Sequence, residues 1–466
     1  MSWTTKNLVD QLIKLVGPSR VKIDASDLDY YGKDWSSASK PNPSAIVFPN
    51  SIKEVQDIVD LANKLNFPLV PSGGRTGLSG GALACRREVV VSFDRMNRIL
   101  KFDEADNLVT CQAGVITEDL KKFAQSKGLF YPVDFASAGT SQLGGNVATN
   151  AGGINVLRYG MTRNWVQGMK VVTGAGELLD LNRGLKKNAT GFDFRHLFIG
   201  SEGTLGIIVE LTLELTRPPE EPTVMLLGLQ EIEDTVKTLT VFKKELDLTA
   251  FEFFSGTAMR KVIKAKALSN PFSRIYPYYV LVEFENNSEN QLDVVSALYD
   301  KCIRFGYATE GIVSQNQRQA ESLWKLREGI TESIASYNPL KSDVSCRISK
   351  IPAFLRKLEK LLSGFSSYFE PVLFGHLGDG NIHINLLPPI EMDDQEFLME
   401  CKKISKLIFE LVKSFDGSIS AEHGIGLTKK PYLSYSRDEA ELNYMRGIKC
   451  LFDPKNIMNP GKLVDI

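Results

Sequence analysis

Glycine-rich segments placed directly after strand-like runs restrict the fold of this chain more than any other feature. Residues 46–81 read as a strand, a helix that begins after Ser51, a second strand and then the loop SGGRTGLSGGA at 72–82. The loop has neither the GK[ST] ending of a P-loop nor the GxGxxG spacing of a Rossmann turn. Its glycines let successive backbone N–H groups turn inward, so it can line an anion-binding concavity; a plain flexible loop is the alternative.

Two further segments have the same character and sit between strand-like runs. They are GGNVATNAGG at 144–153 and GSEGTLG at 200–206. We interpret both as tight polar loops. Several glycine loops in one region, without a catalytic lysine, predict a large diphosphate cofactor that lies along backbone amides.

Composition excludes several classes of function. The chain has 466 residues, is 43% hydrophobic, and carries 55 basic against 56 acidic residues. No block of like charge is present, so a nucleic-acid partner is not expected. No apolar run of membrane-spanning length is found and the start lacks a targeting pattern, so an integral membrane protein is not expected. The six cysteines are scattered, which predicts reduced thiols in a cytoplasmic protein.

The best candidate for a domain boundary is the Pro/Glu cluster at 218–222. Before it, helices and strands alternate. After it, strand-like runs such as TVMLLGL and YYVLVEFE are separated by helices predicted at 289–304 and 393–415. This pattern predicts an α+β fold whose second domain contains an antiparallel sheet.

Three of the four histidines lie within residues 376–423. The run FGHLGDGNIHINLL predicts a hairpin that lets His376 and His383 reach one point. A catalytic metal site needs a third ligand, which Glu422 of SAEHGIG supplies, while the adjacent His423 is left as a base. The alternative is that histidines flank the hairpin by chance. Asp379 in the turn is expected to be a turn former and not a ligand.

Four motifs together resemble the FAD-linked oxidases of the vanillyl-alcohol oxidase type, in their D-2-hydroxyacid dehydrogenase branch. They are PSGGRTGLSGGA, GGNVATNAGGINVLRYG, TGFDFRHLFIGSEGTLGII and NIMNPGK, in order along nearly the whole chain. The resemblance implies an α+β fold with a two-part FAD-binding domain of the PCMH type at 1–220. It implies an α+β substrate and metal-binding cap domain at 221–435, and a C-terminal segment at 436–466 that returns to the flavin.

The resemblance also assigns the cofactor residues. Around the FAD diphosphate and along the flavin it implies Gly73, Gly74, Arg75, Thr76, Gly77, Ser79, Gly144, Gly145, Asn146, Thr149, Asn150, Gly203, Ile207 and Asn459. Some members of this fold attach FAD through a histidine in the first half of the chain. Here His196 stands apart from the first glycine loop, so we expect it to be structural and FAD to be bound noncovalently.

For the second half, the resemblance implies a metal, most often zinc, bound by His376, His383 and Glu422, with His423 as the base. It places the substrate's carboxylate ends at Asn385, Arg327, Thr331 and Lys341; the spacing alone puts Arg327 and Thr331 on one helix face, for which a solvated surface is the alternative. Manganese and cobalt suit the same ligands.

The implied reaction is FAD- and metal-dependent oxidation of a D-2-hydroxyacid. A site whose buried cations pair with a second, distal carboxylate would leave those cations unpaired with D-lactate or glycolate. D-2-hydroxyglutarate is therefore the expected substrate ahead of these two. A metallohydrolase and a non-enzymatic flavin-binding protein are the rival classes. The electron acceptor, such as an electron-transfer flavoprotein or a quinone, and the oligomeric state, with a homodimer as one option, are left open.

Overall fold

The computed structural model describes residues 4–36, 38–220, 222–286, 290–365, 368–389 and 392–466. The chain divides into two compact units. The first contains 1–153, 160–218 and 422–466, and the second contains 154–159 and 219–421. Glu221 of the predicted linker and Glu289 at the start of a predicted helix lie outside the described residues. The division at 421/422 gives residues 422–435 to the first unit, whereas the sequence assigned them to the cap domain.

The strands are numbered in chain order. They are β1 (Val21–Lys22), β2 (Ala45–Val47), β3 (Leu69–Ser72), β4 (Val89–Ser92), β5 (Ile99–Asp103), β6 (Leu108–Gln112), β7 (Val166–Thr173), β8 (Leu178–Leu181), β9 (Gly206–Glu214), β10 (Pro222–Leu229), β11 (Leu248–Ser255), β12 (Tyr278–Glu285), β13 (Glu310–Val313), β14 (Leu340–Ser345), β15 (Glu370–Gly375) and β16 (Asn381–Leu387).

The α-helices follow the same order. They are α1 (Thr5–Val16), α2 (Ala25–Gly32), α3 (Ile52–Leu65), α4 (Thr117–Ser126), α5 (Leu143–Thr149), α6 (Val156–Tyr159), α7 (Arg195–Phe198), α8 (Glu233–Lys243), α9 (Gly256–Lys266), α10 (Gln291–Arg304), α11 (Gln317–Ser333), α12 (Ile351–Ser363), α13 (Asp394–Ser414) and α14 (Glu439–Phe452). Short 3₁₀ helices occur at Pro18–Arg20, Thr162–Asn164, Ala335–Tyr337, Ile348–Lys350 and Lys430–Tyr435. None of the helices in these ranges is long and apolar enough to span a membrane.

The first unit contains two sheets. One has the order β1-β2-β4-β3, in which β4 pairs in parallel with both β2 and β3. The other is antiparallel and has the order β5-β6-β9-β7-β8. Helix α3 connects the parallel strands β2 and β3, and Ser51 caps it by accepting a hydrogen bond from Glu54 N at 3.2 Å. The buried face of this helix joins one core that also includes residues of both sheets.

The second unit is built on one antiparallel sheet with the order β13-β10-β12-β11-β15-β16-β14. Helices α9 and α11 bury their apolar faces against it. At the β14 edge, Asp343 pairs with His383, and His383 pairs with Phe374 of β15. Directly paired residues of antiparallel strands share a face, so these three side chains project from the same side of the sheet. The predicted α+β fold with an antiparallel second sheet is confirmed.

Most predicted elements are present, with one correction. Residues 144–149, interpreted from sequence as part of a glycine loop, form helix α5. Gly144 makes this helix fit, because its N–H donates to Ala113 O at 2.7 Å and a Cβ on it would lie 2.7 Å from the Ala113 Cβ. Glycine here permits close packing of a helix and does not serve a flexible turn.

Candidate functional site

An open pocket of about 920 Å³ lies in the first unit. Its walls come from the loop after β3, from α5, from the turn before β9 and from the segment that contains His423. Twelve of the cofactor residues expected from sequence line it: Gly73, Gly74, Arg75, Thr76, Gly77, Ser79, Gly144, Gly145, Asn146, Thr149, Gly203 and Ile207. Ser72, Gln142, Glu202 and His423 line it as well, and of these only His423 was predicted to act at the site.

The loop after β3 presents backbone amides at the pocket wall. Within the described ranges, the N–H groups of residues 73–77 donate to no protein acceptor. Gly74 must be glycine, because a Cβ there would lie 2.1 Å from Thr140 O. Unsatisfied amides turned into one concavity bind anions such as a diphosphate.

Within this loop, the side chain of Arg75 is held by two aromatic rings. Its guanidinium lies 4.8 Å from the ring centre of Tyr30 and 4.7 Å from that of Tyr31, and its Nη1 donates to Gly73 O at 3.2 Å. Stacking of this kind orients a cation without neutralising it. Asp94 Oδ1 lies 3.8 Å from Arg75 Nη1 and offsets part of this charge, so the anion-binding character of the loop rests mainly on its free amides.

The remaining walls fit a large polar ligand. The Ser72 hydroxyl and the Gln142 carbonyl oxygen are buried and have no hydrogen-bond partner in the described part of the chain. A Cβ on Gly145 would meet open space, so this wall is left bare for a ligand. Buried polar atoms are rarely left unpaired unless a ligand or water completes them. The pocket therefore supplies both phosphate-binding amides and further polar partners.

Three residues considered from the sequence lie outside the pocket lining. Asn150 ends α5 in the left-handed region, and its side chain accepts from Arg163 N at 3.0 Å. Asn459 is fully buried and donates to Gly81 O at 2.9 Å and to Glu202 O at 2.7 Å, so it braces two wall residues. His196 sits on α7 and does not line the pocket.

His423 lines the pocket, and its segment is fixed by two residues of the same unit. The Ser79 hydroxyl donates to His423 O at 2.9 Å, and the Glu202 carboxylate accepts from Ile425 N and Gly426 N, each at 2.7 Å. Glu422 Oε1 lies 3.9 Å from His423 Nε2. Burial raises the pKa of Glu202, although its two N–H donors oppose the shift.

The second unit contains the predicted hairpin and its two histidines. His376 follows β15 and His383 lies on β16, and their ring centres are 5.3 Å apart. In the turn, Asp379 accepts from Asn381 N at 3.1 Å, which is the turn-forming bond expected from sequence. Burial raises the pKa of Asp379 to about 6. The hairpin thus brings both imidazoles together.

Each imidazole has its Nδ1 turned to a carboxylate. His376 Nδ1 lies 2.8 Å from Glu252 Oε1, and His383 Nδ1 lies 3.7 Å from Asp343 Oδ1. Asp343 is held in turn by the Asn381 amide at 2.7 Å. Metal-binding histidines usually donate one ring N–H to a carboxylate, which presents the other nitrogen to the ion. His376 therefore has the outer partner of a metal ligand, whereas the distance between His383 and Asp343 is too long for a hydrogen bond. Neither Glu252 nor Asp343 was expected from sequence.

The predicted substrate residues occupy unlike positions. Arg327 is buried, its Nη2 lies 2.7 Å from Glu252 Oε2, and its Nε has no partner in the described chain. Thr331 is exposed although it was expected to share a face with Arg327. Lys341 pairs across strands with Asn385, so the two share a face of the sheet. Lys341 is exposed at the sheet edge, although partial loss of hydration lowers its pKa. Asn385 is buried, and its amide makes no hydrogen bond within the described residues.

The family of the chain follows from sequence models. A model described as FAD linked oxidases, C-terminal domain, matches residues 218–463, and a model described as FAD binding domain matches residues 43–182. The chain belongs to the FAD-linked oxidases. It is an FAD-dependent enzyme, which decides against the metallohydrolase and non-enzymatic alternatives, and the FAD-binding model covers the loop after β3 and helix α5.

Individual relatives are similar over nearly the whole chain. A D-2-hydroxyglutarate dehydrogenase of Stutzerimonas stutzeri (strain A1501) is 52% identical over 99% of this chain and 99% of the relative. A mitochondrial D-2-hydroxyglutarate dehydrogenase of Arabidopsis thaliana is 34% identical over 97% of this chain and 80% of the relative. A putative mitochondrial D-lactate dehydrogenase of Schizosaccharomyces pombe is 34% identical over 95% and 85%.

Solved structures show the fold alone. A p-cresol methylhydroxylase matches with a TM-score of 0.77 at 15% identity, over 99% of this chain and 97% of the other. An alkyldihydroxyacetonephosphate synthase matches with a TM-score of 0.71 at 19% identity, over 98% and 85%. Both likenesses agree with the PCMH-type FAD-binding fold expected from the glycine motifs.

Proposed function

We propose that this enzyme oxidises a D-2-hydroxyacid to the 2-oxoacid, with D-2-hydroxyglutarate as its preferred substrate. The observation that carries the proposal is that His423 lines the same pocket as the amide loop in the FAD-binding unit. The names of relatives 52% and 34% identical over nearly the whole chain support the substrate class. FAD, when bound, supplies the two-electron acceptor for the hydride that leaves the substrate carbon.

His423 acts as the general base in this proposal. Its imidazole takes the proton of the substrate hydroxyl, a step that a positioned histidine accelerates by about 10²–10⁴-fold. Ser79 and Glu202 hold its backbone segment, so the ring is supported before substrate arrives. We keep FAD as noncovalently bound, because His196 is not among the pocket-lining residues.

His376, His383 and Glu422 would hold a divalent metal, for which zinc is our first choice over manganese or cobalt. The carboxylate of Glu252, 2.8 Å from His376 Nδ1, supports this assignment. Glu422 is assigned from the sequence motif SAEHGIG. A bound divalent ion supplies Lewis acidity toward a hydroxyl oxygen.

Lys341 and Asn385 are the best supported substrate residues. They share one face of the sheet, and the Asn385 amide makes no hydrogen bond within the described chain. Arg327 forms an ion pair with Glu252 through Nη2, and its buried Nε could donate a hydrogen bond to a ligand oxygen. Thr331 stays in the proposal from its motif alone. D-lactate, which lacks a distal carboxylate, is the second candidate substrate, favoured by the relative of that name.

The test is anaerobic flavin bleaching by D-2-hydroxyglutarate, D-lactate, D-malate and glycolate, each with and without a metal chelator. We expect D-2-hydroxyglutarate to bleach the flavin fastest and the chelator to abolish bleaching. A faster reaction with D-lactate would replace the substrate proposal. Undiminished bleaching after complete removal of metal, verified by elemental analysis, would refute the metal role and leave the substrate proposal intact.

Three further assignments are proposals. An electron-transfer flavoprotein or a quinone reoxidises the flavin. A homodimer is the assembly to test first, by sedimentation. The cytoplasm is the proposed compartment. The last is supported by the six free cysteines.

A further inference from the structure

The segment that follows His423 is clamped from two sides within the FAD-binding unit. On one side the Glu202 carboxylate accepts from Ile425 N through Oε1 and from Gly426 N through Oε2, both at 2.7 Å. On the other side the Ser79 hydroxyl donates to His423 O at 2.9 Å and to Gly424 O at 3.1 Å. These bonds fix the backbone on both sides of Gly424.

Glu202 is itself rigidly held. It is buried, its backbone is in the left-handed region at φ +52°, and its N–H donates to Ala148 O at 2.8 Å. Its carbonyl accepts from the Asn459 amide at 2.7 Å. A buried carboxylate with two backbone donors and a fixed main chain transmits its position to whatever it binds.

Two positions of the clamped segment must be glycine. A Cβ on Gly424 would come within 3.1 Å of the Glu202 carboxylate, and one on Gly426 would lie 2.1 Å from Ser79 O. Both residues have positive φ, at +78° and +49°. Residues with a side chain would therefore not fit at these two positions without moving Glu202 or Ser79.

We propose that Glu202 is a positioning residue for His423. By holding the N–H groups of Ile425 and Gly426 it keeps the imidazole in the pocket at the angle that proton removal needs. This inference rests on the proposed function, in which His423 is the base. A misplacement of about 1 Å of a reacting group costs about 10²-fold in rate, which sets the expected size of the effect.

Glutamine cannot replace this carboxylate. Its amide offers one acceptor oxygen, and its NH₂ group would face a backbone N–H donor. Glu202→Gln is therefore expected to displace the segment while changing side-chain volume little. Glu214→Gln is the matched control, since Glu214 lies on β9 of the same unit, away from the pocket, and bonds the Gln167 side chain and Lys186.

The experiment compares the FAD-loaded wild type, Glu202→Gln and Glu214→Gln. We expect Glu202→Gln to retain FAD, to lose about 100-fold in the rate of flavin reduction, and to keep KM within about threefold. Amide hydrogen exchange in the peptide 424–428 should be at least about tenfold faster in this variant, and unchanged in the control. A wild-type rate of flavin reduction with FAD retained would overturn the proposal.

If the Glu202→Gln variant does not bind FAD, the rate of flavin reduction is measured in Gly424→Ala instead. Its methyl group presses on the intact carboxylate and disfavours the positive φ, so slow flavin reduction with FAD retained supports the clamp and a wild-type rate overturns it. Failure of the proposed function is distinguishable, because no 2-hydroxyacid would then bleach the wild-type flavin. In that case the exchange rate of peptide 424–428 still tests whether Glu202 holds the segment.

Discussion

The pocket of the FAD-binding unit and the histidine cluster of the second unit are formed by different kinds of chemical groups. The pocket is lined largely by glycines and backbone amides, and its charged side chains are held at the walls by stacking or by backbone donors. The histidine cluster is a set of ionisable side chains, in which the buried Glu252 joins His376 and Arg327. Backbone amides suit a ligand with spread negative charge, whereas fixed side chains suit a small ion.

Two buried carboxylates show the consequence for electrostatics. Glu202 meets mainly neutral N–H donors, so burial prevails and its pKa is raised. Burial of Glu252 would also raise its pKa, but His376 and Arg327 outweigh that effect and the pKa is lowered. Glu252 is therefore the more strongly ionised of the two. The same residue type is tuned in opposite directions by what surrounds it.

The largest expected effect is on the pocket side of this comparison. Replacing His423 with Asn should lower the rate of flavin reduction by D-2-hydroxyglutarate about 10³-fold, because an amide cannot take the hydroxyl proton at neutral pH. Stopped-flow absorbance of the FAD band measures it. FAD content should stay at the wild-type value, and a rate within about threefold of wild type would remove His423 from the mechanism.

The second prediction addresses the charged cluster. Glu252→Gln should lower the free energy of unfolding by about 3–5 kcal/mol, because it leaves the buried Arg327 without its partner. Affinity for the metal proposed at His376 should also fall about 10–100-fold, because His376 loses the carboxylate that orients its ring. Denaturant unfolding and metal titration of the FAD-loaded protein measure the two effects.

Glu283→Gln is the control for that variant. Burial raises the pKa of Glu283, and its oxygens accept from Thr249 and Trp324, each at 2.6 Å. An amide oxygen can keep one of these bonds, so the loss of unfolding free energy should stay within about 1 kcal/mol. Equal effects of the two substitutions would contradict the contrast between a carboxylate paired with buried cations and one that accepts only neutral donors.

The third prediction concerns a buried cation of the FAD-binding unit. Lys462 donates to Leu83 O at 2.6 Å, and burial lowers its pKa to about 8. Between about pH 8 and about pH 10.4 the unfolded chain binds a proton that the native chain has released, so the free energy of unfolding should rise with pH. Over this range the free energy of unfolding of the wild type should rise by about 3 kcal/mol relative to that of Lys462→Met. Below about pH 8 the difference in the free energy of unfolding between the two proteins should not change with pH.

Denaturant unfolding at closely spaced pH values checks this slope. Lys122→Met, at an exposed lysine of the same unit, should run parallel to the wild type throughout. A wild-type curve that stays parallel to that of Lys462→Met would show that Lys462 has an ordinary pKa.

The smallest effect is expected at the edge of the second sheet. Lys341→Met should raise KM for D-2-hydroxyglutarate about tenfold, because one charge-assisted contact to the distal carboxylate is lost. KM for D-lactate should change less than about twofold, since this substrate has no distal carboxylate. Steady-state kinetics with both substrates measures the difference, and an equal rise for both would place Lys341 outside the distal site.

Local sequence rules predicted much of what these experiments address. The loop after β3 and the hairpin around Asp379 lie where glycine, strand and turn patterns put them, because those patterns act over a few residues. Residues 144–149 were misjudged as a loop since the packing of Gly144 on Ala113 involves a residue about thirty positions earlier. The unpaired side chains of Ser72 and Gln142 were not predicted, because only a folded pocket shows which polar atoms lack partners.

The loop after β3, the histidine hairpin and the family could be read from residue types at short, fixed spacing. The partners of the buried charges could not. Glu202 and Glu252 stand far along the chain from Gly426 and His376, and no local pattern relates them. Their roles depend on burial and on which donors surround them, and both arise when distant segments pack together.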